Sequence, residues 1–430
     1  MKVGVFGLWH LGCVTAACLS SVGHDVIGYD PSIENIIKLQ SGEPPLFEPG
    51  LAELIAQGIK NNKLKFSSNF SELSQVEIAW ITFDTPVDEN DNADVDYVKN
   101  QIISIFPFLA NNALLLVSSQ LPVGTMKVLR EEFKKKNPSS NLDFAYSPEN
   151  LRLGKAIDIF LHPDRVVIGC DAEKEKIRFQ QLFKNITNNI IWMSVASAEM
   201  TKHALNAFLA TSVVFINELA VLCEKVGANA SEVELGLKSE ARIGPKAYLH
   251  PGGAFAGGTL ARDVTFLQNI SDEKLVPTKL FSAILESNQI HKQWAFRRII
   301  DSLGDIKGKT IAVLGLTYKP ETNTLRRSES IETCRLLSNS GANVSAFDPA
   351  LKELPLEYQN FISLKLSIKE AIANADAVII STPWPEFLKI EADDFVKYMN
   401  KPLIFDVNGF LNKIFNNDNR IKYYFVGKGV

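Results

Sequence analysis

The chain has 430 residues, of which 46% are hydrophobic and 22% are charged, with 25 glycines and 19 prolines. These proportions are those of an ordinary globular protein, and they exclude the collagen-like, disordered and disulfide-framework classes. Lysine and arginine number 45 against 49 aspartates and glutamates, a net charge of −4. Such a balance gives no electrostatic case for nucleic acid or an anionic membrane as partner. At about 150 residues per domain, we expect two or three domains.

The cysteine pattern and the apolar stretches bear on the compartment. The five cysteines are scattered, with no CxxC pair and no zinc-type spacing to histidine, so we expect neither structural disulfides nor a metal site. Residues 1–7 lack the long apolar core of a signal peptide. The longest apolar stretch, 207–216, has about ten residues, which is too short to span a membrane. We therefore expect a soluble, cytoplasmic protein.

The first thirty residues predict a β-turn-α-β unit. Lys2–Phe6 is a short β-rich run, Cys13–Val22 is typical of a helix of small residues, and Asp25–Tyr29 is a second β run. Between the first strand and the helix lies a six-residue turn, Gly7-Leu8-Trp9-His10-Leu11-Gly12. This is the position of a dinucleotide-binding turn.

In such a turn the first glycine makes the bend, the second admits the pyrophosphate, and the third lets the helix pack on the strand. Here Trp9 stands in place of the second glycine, which weakens the motif. Asp30 lies 23 residues after Gly7, where it would bind ribose hydroxyls and favour NAD over NADP. We expect dinucleotide binding; the alternative is a Rossmann-shaped domain whose pocket is altered or closed.

A similar unit recurs near the C-terminus. Lys309–Leu314 is a predicted strand, Ile331–Ser340 a helix, and Asn343–Phe347 a strand that ends at Asp348. Further β runs follow in both halves: Ile78–Phe83, Ala113–Ser118, Ala377–Thr382 and Leu403–Asp406. The fold class is therefore α/β, with two Rossmann-like, doubly wound parallel-sheet domains.

A long helix is predicted between the two α/β regions. From Ala198 to Val226 there is no glycine or proline, and apolar residues recur at three- and four-residue spacing. Gly227 follows where a helix C′ residue is expected. A helix of about 45 Å is longer than one small domain needs. We interpret it as a spine within a helical middle domain, packed against a partner chain.

Two features of the middle region are candidate sites. Lys202 and Asn206 lie four residues apart and therefore on one face of the long helix, although such a pair is more often solvated. Residues 252–259, Gly-Gly-Ala-Phe-Ala-Gly-Gly-Thr, place four glycines beside Arg262 and Asp263. A flexible loop of this kind usually exists because its backbone approaches a ligand closely. The alternative is a long turn without a ligand.

Seven short motifs in sequence order resemble the UDP-glucose/GDP-mannose dehydrogenase family over nearly the whole chain. They are Glu48-Pro49-Gly50-Leu51, Leu121-Pro122-Val123-Gly124-Thr125, Ser147-Pro148-Glu149, Lys202-x-x-x-Asn206, Arg242-Ile243-Gly244, the glycine loop through Asp263, and Gly315-Leu316-Thr317-Tyr318-Lys319-Pro320 followed by Thr322 and Arg326. The resemblance implies an NAD-binding domain over 1–195, a helical dimerisation domain over 196–296 and a UDP-sugar-binding domain over 297–430. It also implies a homodimer.

The family oxidises a sugar C6 alcohol to a carboxylate and reduces two NAD in succession, through a cysteine-bound thiohemiacetal and thioester. The resemblance implies catalytic roles for five positions: Glu149 as base for hydrolysis, Lys202 stabilising the oxyanion, Asn206 orienting sugar and water, Asp263 assisting proton removal, and Thr259 at the nucleophile position. A cation and an amide donor suit a developing alkoxide, and carboxylates suit proton transfer.

The resemblance also implies the binding residues. It assigns the cofactor to Gly7, Leu11, Gly12, Asp30, Thr85, Gln120 and Arg326. It assigns the substrate to Glu149, Lys202, Asn206, Arg242, Phe255, Gly257 and Lys319. Lys319 and the loop 315–326 imply a pyrophosphate-linked nucleotide, and Arg326 matches the UDP-sugar branch. UDP-glucose, UDP-N-acetylhexosamines and GDP-mannose remain candidates, in the supply of surface polysaccharide precursors.

Several positions depart from the family pattern. The nucleophilic cysteine is Thr259, whose alcohol needs an adjacent base to attack at all and whose β-branch restricts its reach. Asp84 replaces a glycine and Gln120 a threonine on the cofactor side. The Pro-Lys before Asp263 is Ala261-Arg262, and the Gly-Arg-Asn after an aspartate reads Val407-Asn408-Gly409.

Three interpretations follow. The protein transfers one hydride and releases an aldehyde or ketone, for which Lys202, Asn206 and Asp263 suffice. Alternatively it completes both oxidations through the aldehyde hydrate, without a thioester. In the third interpretation it is a catalytically silent binding or regulatory homologue, paired with an active paralogue. The retained catalytic positions argue against the third, whereas Trp9, Asp84 and Gln120 argue for an altered cofactor site.

Overall fold

The computed structural model describes residues 1–86, 88, 93–149, 151–256 and 258–428. The chain divides into two compact units, Met1–Leu205 and Asn206–Val430. The boundary falls inside the longest helix, Val195–Val226. Each unit contains its own sheet and its own hydrophobic core, so each is described by itself.

The first unit is built on an eight-stranded sheet. Its strands are β1 Lys2–Phe6, β2 Asp25–Tyr29, β3 Leu64–Ser67, β4 Ile78–Ile81, β5 Leu114–Val117, β6 Asp143–Tyr146, β7 Val166–Gly169 and β8 Ile190–Met193. Their order in the sheet is β3-β2-β1-β4-β5-β6-β7-β8. All pairs are parallel except β6 with β7. The first six strands thus have the doubly wound Rossmann order.

Helices cover both faces of this sheet. They are α1 His10–Ser21, α2 Ile33–Gln40, α3 Leu51–Lys60, α4 Val95–Ile105, α5 Thr125–Lys136, α6 Ala156–Leu161 and α7 Glu173–Phe183. Every residue of β4 and β5 is buried, as expected for parallel strands with a helix layer on each side. Two apolar cores form as a result, one around Val5, Leu19 and Ile168 and the other around Phe6, Val117 and Phe144.

The second unit repeats the pattern with six strands. They are β9 Thr310–Leu314, β10 Asn343–Phe347, β11 Ser363–Leu364, β12 Ala377–Ile380, β13 Leu403–Asp406 and β14 Lys422–Phe425. All are parallel, in the order β11-β10-β9-β12-β13-β14. This is again the Rossmann order, so the prediction of two doubly wound α/β domains is confirmed. Its helices are α13 Glu329–Asn339, α14 Leu356–Gln359, α15 Ile368–Ile372, α16 Ala392–Tyr398 and α17 Asn412–Phe415.

The middle of the chain is helical. Helix α8, Val195–Val226, has 32 residues, and α9 Ala230–Ser239, α10 Thr259–Glu273, α11 Lys279–Lys292 and α12 Trp294–Leu303 follow it. Helix α8 begins three residues before the predicted start at Ala198 and ends where predicted, because Gly227 takes a positive φ of 76°. By length and composition α8 is also apolar enough to cross a membrane, with 33% of its most apolar window buried.

Other predicted elements agree closely with the structure. The strands Lys2–Phe6, Asp25–Tyr29 and Asn343–Phe347 have the predicted bounds. The first helix begins at His10 rather than Cys13, because the turn is tighter than its six residues suggested. The five cysteines are all buried and free: Cys13, Cys18, Cys170, Cys223 and Cys334.

Candidate active site

The turn after β1 requires glycine at its first and third predicted positions. Gly7 has a φ of 92° and donates its N–H to Tyr29 O at 3.0 Å. A Cβ atom on Gly7 would lie 2.6 Å from the Phe83 ring, and one on Gly12 would lie 2.0 Å from Gly7 O. The strand, turn and helix therefore approach one another as a dinucleotide-binding turn does.

Trp9 occupies the N-cap position of α1 without strain. Its φ is −90° and its side chain is 48% exposed. The backbone therefore does not need a glycine here, and a bulky side chain stands at the N-cap of a helix whose first N–H groups have no intrahelical partner. The next residue, His10, pairs through Nε2 with Glu48 at 2.8 Å. The turn keeps its shape, and what changes is the surface that a pyrophosphate would meet.

Asp30 and Asp348 end equivalent strands in the two units but differ in access. Asp30 accepts hydrogen bonds from the Leu8 and Ser32 N–H groups at 3.0 and 2.9 Å and remains partly exposed. Asp348 is buried and accepts from Leu316 N, Thr317 N and the indole N–H of Trp384. Only Asp30 is accessible to a ribose, so of these two acids it alone fits an NAD site.

The loops on the cofactor side are tied to each other and to side chains of α8. Thr85 Oγ1 donates to Gln120 O at 2.6 Å. Glu199, which is buried, accepts from the N–H groups of Gly124 and Met126 at 2.8 and 2.9 Å, and His203 Nε2 contacts Leu121 O at 3.0 Å. The sequence did not point to Glu199, because its partners Gly124 and Met126 lie 75 and 73 residues away.

Glu149 and Lys202 form a pair in the first unit. The Lys202 side chain is 8% exposed, donates to Glu149 O, and lies 4.0 Å from Glu149 Oε2. Burial raises the pKa of the Glu149 carboxyl, and the positive charge of Lys202 opposes that shift. A lysine that is not solvated and a carboxyl of raised pKa are typical of a catalytic site.

Glu48 holds the chain just beyond Glu149. Its carboxylate accepts from Gly154 N at 2.7 Å and Ala156 N at 2.8 Å, in addition to the His10 contact. The pKa of Glu48 is lowered: burial opposes the shift, but these backbone and histidine hydrogen bonds outweigh it. The motif around Glu48 was recognised in the sequence, but its contacts could not be predicted.

The second unit holds the other predicted catalytic residues. Asn206 donates from Nδ2 to Asp263 Oδ2, and both side chains are buried. Thr259 is the first residue of α10, one turn before Asp263, and is exposed. Residues four apart lie on one face of a helix, so Thr259 and Asp263 share a face of α10.

The glycine loop is more firmly held than its composition suggested. Asn217 bonds Gly252 N and Gly253 O at 3.0 and 3.1 Å. Asn288 bonds both the N–H and the C=O of Phe255, at 2.9 and 2.8 Å. Asn408 accepts from Gly253 N at 3.0 Å. Three asparagines distant in sequence thus replace the expected flexibility with fixed geometry.

A cavity of about 320 Å³ lies against this loop in the second unit. Gly253 and Ala256 line it together with the predicted substrate residue Lys319 and with Glu329. Arg242 does not line it; its side chain is 88% exposed and pairs with Glu240. Arg326 is also exposed, and Gly257 lies outside the described residues.

The residues of the first unit fit NAD. The turn between Gly7 and Gly12, the accessible Asp30 and the Thr85–Gln120 contact lie beyond the carboxyl ends of β1, β2, β4 and β5, where dinucleotides bind in this fold. Leu11, the second residue of α1, is partly buried. The first unit thus has the Rossmann strand order and the accessible acid after β2 that are typical of nicotinamide-dependent dehydrogenases.

Comparison with known proteins gives the family. Its models match in three parts: the NAD-binding domain over residues 1–187, the central domain over 196–290 and the UDP-binding domain over 312–413. The chain belongs to the UDP-glucose/GDP-mannose dehydrogenase family, which places it among NAD-dependent oxidoreductases that act on CH–OH groups.

Individual relatives match along nearly their full length. The chain is 33% identical to a UDP-glucose 6-dehydrogenase of Rhizobium meliloti, over 96% of each chain. It is 32% identical to the UDP-glucose 6-dehydrogenase TuaD of Bacillus subtilis, over 94% of this chain and 88% of that one. A UDP-glucose dehydrogenase structure from Pyrobaculum islandicum superimposes with a TM-score of 0.83 at 25% identity, covering 100% of this chain and 98% of that one.

Proposed function

We propose that this protein oxidises the primary alcohol of a UDP-linked sugar to the aldehyde, with NAD⁺ as hydride acceptor, and does not form a thioester. The alcohol loses a hydride to NAD⁺ and a proton to a base, giving the aldehyde and NADH. When bound, the nicotinamide accepts the hydride. The buried Lys202 beside Glu149 is the observation that carries the proposal, because a desolvated cation stabilises an alkoxide strongly.

The remaining roles follow the family pattern residue by residue. Asp263 receives the proton or directs it, and Asn206 fixes the orientation of that carboxylate through its amide. Thr259 remains an alcohol, so an attack on the aldehyde would need a base that a thiol does not. The first oxidation needs no nucleophile from the protein. We therefore propose that the reaction stops at the aldehyde.

The substrate and setting are also proposals. Lys319 lines the cavity beside the glycine loop, where a cation would bind the pyrophosphate of a nucleotide sugar. The relatives named above are UDP-glucose 6-dehydrogenases, which favours UDP-glucose and a cytoplasmic role in supplying polysaccharide precursors. The sugar and the UDP moiety are both open to direct test.

A homodimer through α8 is supported by its exposed apolar stripe. Phe208, Phe215 and Leu222 recur every seven residues on this helix and are 70%, 49% and 61% exposed. A heptad spacing places them along one side of the helix, as in paired helices. A second copy presenting the same stripe would remove this apolar surface from water.

The reaction is tested by its stoichiometry. Purified protein is incubated with excess NAD and UDP-glucose, UDP-N-acetylhexosamines or GDP-mannose, and NADH formed per sugar consumed is measured with an aldehyde trap present. We expect one NADH per UDP-sugar and a trapped aldehyde. Two NADH per sugar, with no aldehyde captured by the trap, would mean that the hydrate of the aldehyde is oxidised directly to the acid. Binding of the sugar without any NADH would mean a silent homologue.

Trp9 offers a test of the cofactor site. Trp9→Gly restores the usual second glycine and uncovers the N–H groups of α1, so we expect NAD to bind about tenfold more tightly, a gain of about 1.4 kcal/mol. The measurement is the NAD dissociation constant by calorimetry. Trp9→Phe, which keeps an aromatic ring, should bind NAD as the wild type does. Weaker binding by Trp9→Gly would show that the indole itself contacts the cofactor.

A further inference from the structure

Glu329 is a carboxyl that the family roles described above do not use. It is the first residue of α13, at the carboxyl end of the second sheet, and it lines the 320 Å³ cavity beside the glycine loop. Its Oε1 atom is buried and has no hydrogen-bond partner among the residues that the structure describes. Buried carboxyl oxygens are nearly always hydrogen-bonded, so this atom is available to bond to a ligand in the cavity.

The surroundings of Glu329 favour the neutral form of its carboxyl. Burial raises its pKa to about 7, Lys292 opposes the shift, and Glu332 adds to it. The cavity is also lined by His291, Lys319 and Arg327. Burial lowers the pKa of His291, which disfavours a charge on its ring. Between pH 6 and pH 8, the charge of Glu329 therefore changes.

A neutral carboxyl presents one donor and one acceptor side by side. The imide edge of uracil presents the complementary pair, an N–H beside a C=O, so the two groups form two parallel hydrogen bonds. An ionised carboxylate presents two acceptors and matches instead the two adjacent N–H donors of guanine. The Ser381 hydroxyl also lines this cavity, beside Ser330, from whose Oγ it accepts a hydrogen bond at 2.6 Å. The Ser381 proton is then available for the other uracil carbonyl.

We propose that Glu329 recognises the base of the nucleotide sugar in this cavity, and that its neutral carboxyl selects uracil. The inference rests on the proposed function, because it takes a nucleotide sugar as the ligand. It adds a residue that determines specificity, and it makes that specificity dependent on pH.

The test is the affinity for UDP-glucose and GDP-mannose at pH 6 and pH 8, measured by calorimetry on the full chain. Both phosphates of these ligands are esterified, so neither titrates in this range. If only the neutral carboxyl binds uracil, the protonated fraction of a group with a pKa of about 7 falls about tenfold between the two pH values. We expect the UDP-glucose dissociation constant to rise by that factor. The preference for UDP-glucose over GDP-mannose should fall with it.

Two variants separate recognition by Glu329 from other causes. Glu329→Gln has a C=O and an NH₂ at all pH values, so it should bind UDP-glucose as tightly at pH 8 as at pH 6. Glu329→Ala should bind it more weakly at pH 6 and lose the pH dependence. Glu357→Gln, an exposed carboxyl of the same domain that does not line the cavity, should behave as the wild type.

The outcomes distinguish the two proposals. Unchanged affinity in Glu329→Ala, or an unchanged pH dependence in Glu329→Gln, overturns the assignment of Glu329 and leaves the dehydrogenase proposal standing. If no nucleotide sugar binds the wild type at either pH, the proposed function fails, and this inference fails with it. Circular dichroism and thermal melting of each variant show whether it is folded.

Discussion

Replacing Thr259 by cysteine is expected to raise the NADH yield from one to two per molecule of UDP-sugar. Thr259 is the first residue of α10, a helix of 15 residues. The positive end of the helix dipole stabilises a thiolate there and lowers its pKa. A thiolate adds to the aldehyde, the thiohemiacetal gives a second hydride to NAD⁺ and becomes a thioester, and water then releases the carboxylic acid. The measurement is NADH per sugar together with detection of the acid.

Thr259→Ser is the matched control for this substitution. It removes the same methyl group but leaves an alcohol, so its yield should stay at one NADH and the aldehyde should still be trapped. A second NADH in Thr259→Ser would mean that the methyl group, and not the lack of a thiol, stops the reaction. A yield of one in a folded Thr259→Cys that forms the first NADH normally would contradict the assignment of position 259 to the nucleophile.

Replacing Lys202 by methionine is expected to lower kcat for NADH formation by about 10² to 10³, the cost of removing one group that stabilises an oxyanion. Methionine keeps much of the length and apolar volume of the buried lysine stem, but it removes the charge and the hydrogen bond to Glu149 O. The dissociation constant for NAD should change little. Initial rates at saturating UDP-sugar give kcat, and calorimetry gives the NAD affinity.

Lys225 provides a control on the same helix. Its side chain is 65% exposed and lies 3.6 Å from Asp301, so Lys225→Met removes a charge of the same kind from α8 without touching the Glu149 pair. It should retain wild-type kcat. Lys202→Met within threefold of the wild type would remove Lys202 from the chemistry.

The Lys202 substitution also has a consequence for pH dependence. The charge of Lys202 holds down the pKa of Glu149, which burial raises. Without that charge, Glu149 should take up a proton at higher pH than in the wild type. The pH profile of the residual activity, compared with that of Lys225→Met, therefore reports whether the two groups are coupled.

The fold was predictable because its signals are local. The β1 and β2 strands, the Gly7 bend and the end of α8 at Gly227 each depend on residues within a few positions, and all of them agree with the structure. The candidate catalytic residues were found through short motifs in order. The hydrogen-bonding and charge properties of lysine, asparagine and aspartate follow from the residue type alone, so they could be read without knowing the fold.

What the sequence did not contain is the long-range support of the site. Glu199 and Gly124 are 75 residues apart, and Gly253 and Asn408 are 155 apart. The motifs around Gly124 and Gly253 were visible in the sequence, but nothing in them indicated which distant side chains would bond to their backbone. The glycine loop therefore looked flexible, and the three asparagines that fix it became evident only when the chain was folded.

The burial of all five cysteines has a consequence for how long such an enzyme keeps its activity. Burial raises the pKa of Cys18 to about 12 and that of Cys170 to about 11, and Cys13, Cys223 and Cys334 are buried as well. A protonated, covered thiol reacts slowly with peroxides and with electrophilic metabolites. The buried cysteines offer these agents no exposed thiol, and position 259 is threonine. We therefore expect this protein to lose activity more slowly under oxidative stress than a dehydrogenase that depends on an exposed cysteine.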